Sequence, residues 1–100
     1  MALVKVATLD NLKPGEARTV IVSGKEIALY NVSGKIFATT NACAHEQGPL
    51  GQGSLEDNVI TCPLHGWQFD VETGSCRTVP GLKIETYRVE VRGKDILVDV

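Results

Sequence analysis

The chain has no long apolar run, no basic stripe and no segment with a sustained helical period. Nothing approaches the roughly 20 apolar residues that a helix needs to cross a bilayer, so no membrane role is expected. A formal charge of −2 lacks the electrostatic footprint of a nucleic-acid binder. Aromatic residues are few, and Tyr30, Phe37, Trp67, Phe69 and Tyr87 are too scattered to form a stacking platform for bases. There is no Gly-rich nucleotide loop. Lys5 falls before any apolar stretch can develop, and neither a signal-peptide core nor a twin-arginine pair is present, which sets the expectation of a cytoplasmic protein. Three cysteines are an odd number and argue against a disulfide framework. In a reducing compartment a cysteine more often serves a metal, does redox work or is simply buried.

What remains is an ordinary globular composition, 43% hydrophobic and 22% charged, in a length that suits a single domain over residues 1–100. Segments 3–8, 17–22, 26–31 and 36–40 are rich in β-branched and apolar residues and read as strands. Ser23-Gly24 and Ser33-Gly34 punctuate them as hairpin turns, and Lys13-Pro14-Gly15-Glu16 is a further turn. Segments 84–91 and 95–100 flank Arg92-Gly93-Lys94 as a closing hairpin. The chain reads as all-β. Between these flanks, residues 41–53 are turn-rich, short strand-like runs occupy 58–61 and 68–71, and a Val79-Pro80-Gly81 loop follows. Tight loops set into a strand framework are where a site is expected. This middle part, about 41–81, reads as a subdomain built onto base strands from 1–40 and 82–100.

Both histidines closely follow a cysteine, as Cys43-Ala44-His45 and Cys62-Pro63-Leu64-His65, with sixteen residues between His45 and Cys62. Gly48-Pro49 and Gly51 follow the first pair, while Pro63 and Gly66 bracket the second. Such residues let the chain turn sharply and bring N–H groups toward a bound sulfur or anion. Two cysteines and two histidines also make a structural zinc set. Zinc modules usually take two cysteines from one knuckle and two histidines from the other, whereas each loop here supplies one of each.

This pattern, C-x-H, sixteen residues, C-x-x-H, followed by Gly66-Trp67, resembles the Rieske [2Fe–2S] ferredoxin family. It is most similar to the ferredoxin components of bacterial aromatic-ring dioxygenase systems. The resemblance implies an antiparallel β sandwich or barrel base carrying an inserted cluster-binding subdomain. It implies that Cys43 and Cys62 bind one iron and His45 and His65 the other, with Val79-Pro80-Gly81 as a loop covering the cluster. Respiratory-type Rieske proteins join the two loops with a disulfide, but the corresponding positions here are Gly48 and Leu64. A serine that donates to the cluster in those proteins is replaced by Trp67. With fewer donors, the reduction potential is expected near the low end of the Rieske range, at about −150 mV.

The resemblance implies an electron carrier that is not itself an enzyme. It would receive single electrons from a flavoprotein ferredoxin reductase and deliver them to a terminal oxygenase, acting as a monomer. Other readings are a small Rieske subunit of an assimilatory nitrite reductase and a zinc-stabilised interaction domain. Cys76 lies outside both motifs and reads as a plain thiol. Glu46, Glu56, Asp57, Asp70 and Glu72 read first as solvated strand-end charges, with an acidic docking face for redox partners as the alternative. Glu46, Gln47, Pro49, Leu50, Leu64 and Pro80 are the candidate partner footprint.

Overall fold

The computed structural model describes residues 2–43, 48–64 and 66–100; Met1, residues 44–47 and His65 lie outside the described residues. The strands are β1 (Leu3–Thr8), β2 (Ala17–Val22), β3 (Lys25–Val32), β4 (Lys35–Thr40), β5 (Ser54–Glu56), β6 (Val59–Thr61), β7 (Gln68–Asp70), β8 (Thr86–Tyr87), β9 (Val89–Arg92) and β10 (Asp95–Asp99). Short 3-10 turns occupy Leu9–Asn11 and Leu50–Gln52, and no α-helix occurs among the described residues. The strands form three antiparallel sheets, ordered β1-β10-β9, β2-β3-β4-β8 and β5-β6-β7. The first two make the base, and the third is built entirely from the local stretch between the base strands. The all-β expectation holds.

The hairpins β2–β3 and β3–β4 turn on Ser23-Gly24 and Ser33-Gly34, with φ of 50° and 78°, and 52° and 96°. Positive φ at both central residues is the geometry whose twist matches the flanking strands. The segment 84–91 is not one strand. The chain changes sheet at Arg88, so that β8 pairs with β4 while β9 pairs with β10. Arg92 pairs with Asp95, which reduces the last turn to Gly93-Lys94. Ser54–Glu56, which carries no strong strand signal, is a strand because β6 pairs with it.

Strand β3 divides the interior. Successive side chains of a strand point to opposite faces. Ile27 and Leu29 accordingly join Leu12, Val22, Ala38, Ile96 and Val98 in a core between the two base sheets. Ala28 and Tyr30 point the other way, into a second core with Leu50, Ile60, Phe69, Val71, Ile84 and all three cysteines. This is why residues 27–31 read as a nearly continuous apolar run rather than an alternating one: both faces are covered. The pairs Leu55–Ile60 and Ile60–Phe69 lay the third sheet onto this second core.

Tyr30 is fully buried, and its hydroxyl lies 2.8 Å from Thr39 Oγ1, which in turn donates to the Thr40 carbonyl. Burial pushes the Tyr30 phenol far above its ordinary range, and the bond to Thr39 only partly offsets this. The unfolded chain therefore loses this proton first as pH rises. Stability from Tyr30 is complete below about pH 10 and declines above it. Tyr30→Phe leaves no stranded donor, because Thr39 keeps its bond to Thr40. Denaturant titration at neutral pH is expected to show a loss of about 0.5–1.5 kcal/mol for this variant. Above pH 10 the gap should narrow, since the variant lacks the titrating group; a constant gap would contradict the burial argument.

Candidate metal centre

Two loops rise from this scaffold toward the second core. The first leaves β4 and returns through the Leu50–Gln52 turn. Its two arms are tied rung by rung: the Leu50 N–H donates to the Asn41 carbonyl at 2.8 Å, Ala42 bridges to Pro49, and the Cys43 N–H donates to the Gly48 carbonyl at 2.9 Å. The sequence between those last two residues contains His45. The second loop joins β6 to β7. Here the Cys62 N–H donates to the Trp67 carbonyl at 2.8 Å, and the Gly66 N–H donates to the Cys62 carbonyl at 3.1 Å. Gly66 adopts φ of +74°, a left-handed conformation that glycine takes without steric cost.

Cys43 and Cys62 are 1% and 3% exposed and share one buried cluster of side chains. Gly48 joins the loops. Its carbonyl holds Cys43, while a Cβ on it would lie 2.8 Å from Cys62 Sγ and 2.9 Å from Leu64 Cγ. Positions 48 and 64 are thus spatial neighbours, yet as glycine and leucine they cannot form a cross-link. No disulfide occurs among the described residues. Two buried cysteines from separate loops, brought to one apolar core, suit a sulfur-ligated iron centre. His45 and His65, the other two residues of the expected ligand set, lie outside the described residues, as do Glu46 and Gln47.

The surrounding residues correct some expectations. Leu50 is fully buried and cannot belong to a surface footprint, whereas Leu64 is 54% exposed. Asp70 is half-buried and acts as a turn cap: its carboxylate accepts from the Glu72 and Thr73 N–H groups and from Asn58 Nδ2. Cys76 is buried in the same core as the two loop cysteines, and its sulfur accepts the Val79 N–H at 3.3 Å. Val79-Pro80-Gly81 forms a tight turn, with Gly81 at φ +93° and the Leu82 N–H donating to the Val79 carbonyl. Val79 and Trp67 both pack against the cysteine-bearing core. Sequence reasoning missed Asn41 and Gly53, whose importance comes only from what the fold brings against them.

The Rieske [2Fe–2S] domain family matches residues 2–88, and the chain belongs to that family. The ferredoxin component of naphthalene 1,2-dioxygenase/salicylate 5-hydroxylase systems from Ralstonia sp is 42% identical over 95 residues, covering 94% of this chain and 91% of the relative. The ferredoxin of carbazole 1,9a-dioxygenase from Nocardioides aromaticivorans IC177 superimposes with a TM-score of 0.88 at 36% identity, covering 98% and 97% of the two chains. A ferredoxin in a complex of reduced oxygenase and oxidised ferredoxin of carbazole 1,9a-dioxygenase gives 0.88 at 32% identity, covering 96% of this chain and 91% of its own. Within the family, then, this chain is a Rieske-type ferredoxin: an electron-transfer protein that carries a [2Fe–2S] cluster and is not a catalytic oxygenase.

The exit of the first loop leaves no room for a side chain. A Cβ on Gly53 would strike the carbonyl oxygen of Thr61, the residue before Cys62. Gly53→Ala is expected to cost about 1–3 kcal/mol in denaturant titration. It should also lower the iron content of purified protein, because the backbone that must move carries Cys62. Full stability together with full iron loading would contradict this packing.

Proposed function

We propose that Cys43, His45, Cys62 and His65 hold the cluster, and that the chain passes single electrons from a flavoprotein reductase to a terminal oxygenase acting on aromatic compounds. The observation that carries the reading is the convergence of Cys43 and Cys62, from separate loops, on one buried core beside Gly48. His45 follows Cys43 by two residues and His65 follows Cys62 by three, within about 7–11 Å of chain. Each loop can therefore supply one sulfur and one nitrogen. When bound, the cluster supplies a one-electron redox couple. The similarity to ferredoxin components of dioxygenase systems supports the oxygenase as acceptor. We further propose one domain whose cluster-binding subdomain spans about 41–81, a monomer, and a cytoplasmic location. Pro49, Leu64 and Pro80, with Glu46 and Gln47, would form the partner footprint.

Cys43, His45, Cys62 and His65 would hold the cluster, which would supply electron transfer rather than a site for substrate. The histidines add a proton function, because an iron-bound imidazole keeps a second ring nitrogen that can release its proton. The oxidised state favours that release. Raising the pH past this ionisation therefore favours the oxidised form, and the potential should fall by up to about 59 mV per pH unit for one proton. Redox titration is expected to give about −150 mV near neutrality, with a fall at alkaline pH. A value well above zero, or a flat profile, would count against the reading. His65→Ala is expected to abolish the visible spectrum and the rhombic EPR signal of dithionite-reduced protein; an unchanged spectrum would overturn the ligand set. Mixing purified reductase and oxygenase components with and without this chain tests the carrier role directly. Equal product formation in both would remove it.

A further inference from the structure

Asn41 stands two residues before Cys43, where β4 gives way to the first loop. It is 3% exposed, and each of its polar groups is engaged. Its backbone N–H donates to the Glu26 carbonyl at 3.1 Å, and its carbonyl accepts the Leu50 N–H at 2.8 Å. Its side-chain oxygen accepts the Gly51 N–H at 2.8 Å and the Thr19 hydroxyl at 3.0 Å, and its amide nitrogen donates to Glu26 Oε1 at 3.1 Å. One side chain thus ties β2, the start of β3 and the returning arm of the first loop together. An apolar residue here would leave the buried Gly51 N–H without an acceptor.

These bonds sit directly below the rungs that hold Cys43 to Gly48. We infer that Asn41 is the positioning residue of the cluster site. By fixing Leu50 and Gly51 it fixes the returning arm, and with it Gly48 against Cys62 Sγ. It thereby sets how the first loop stands relative to the second. The inference rests on the assignment of Cys43 and Cys62 to the cluster. Bulk at position 41 is not what matters in this account; the pattern of one donor and two accepted bonds is.

Asn41→Asp keeps both acceptor bonds but sets a carboxylate against that of Glu26. In the double variant N41D/E26Q the lost bond is restored with donor and acceptor exchanged. The readouts are the rate of iron loss to a chelator, the EPR g-values of dithionite-reduced protein and the reduction potential, all at pH 8. N41D is expected to lose iron about tenfold faster than wild type, with displaced g-values and potential, and N41D/E26Q to return to within about twofold on the first measure and to wild-type values on the others. Thr19→Val removes only the outer donor and covers the case in which N41D yields no folded protein. It should give a smaller change, about two- to fivefold. Wild-type iron retention, g-values and potential in N41D and T19V would overturn the inference, as would an impaired N41D that E26Q fails to rescue. Wild-type protein that never acquires iron would instead sink the ligand assignment beneath it.

Discussion

Under the ligand assignment proposed above, two sulfurs from loops that are distant in sequence have to be held in one place without a covalent tie between the loops. That constraint organises much of what surrounds Cys43 and Cys62. A disulfide across positions 48 and 64 would do the holding in one bond, but Gly48 and Leu64 rule it out. The chain relies instead on main-chain rungs within each loop and on a close approach between them, with Gly48 accepting from Cys43 on one side and abutting Cys62 Sγ on the other. Each of these contacts is individually modest. Together they are stiff because the loop arms are themselves anchored to sheet residues.

The anchoring works because β3 is covered on both faces. Ile27 and Leu29 commit it to the base core, while Ala28 and Tyr30 commit it to the core that contains the cysteines. A strand with one free face could tilt to suit either neighbour; one packed on both sides cannot shift without opening a cavity. Glu26 and Thr19, which hold Asn41, belong to the β2–β3 hairpin. The position of the first loop is therefore referred to a hairpin whose second strand is packed on both faces.

Much of this was legible in the residues. Strands β1 and β2 follow from apolar, β-branched runs bounded by turn residues, and the Ser-Gly pairs mark hairpins because glycine readily takes the positive φ of the second turn position. The cysteines stand out by their spacing to histidine. What could not be read was anything that depends on a distant partner. Ser54–Glu56 becomes a strand only because β6 pairs with it, and the run 84–91 breaks at Arg88 only because its two halves belong to different sheets. Leu50 looks like surface when judged from its turn-rich neighbours, yet the fold buries it completely. Asn41 is an unremarkable polar residue in a turn-rich stretch until Thr19, Glu26 and Gly51 are brought against it.

The same arrangement suits an electron carrier. Moving one electron should disturb the protein as little as possible, and a site whose groups are already fixed before the charge changes has little reorganisation left to undergo. The second loop passes from a nearly inaccessible Cys62 to an exposed Leu64 within two residues, so a partner can come close to the centre without any part of the core opening. A rigid interior and a short way out are opposing demands on one loop. They are reconciled here by the Cys62 to Trp67 and Gly66 to Cys62 bonds, which fix the loop's base while leaving its outward side at the surface.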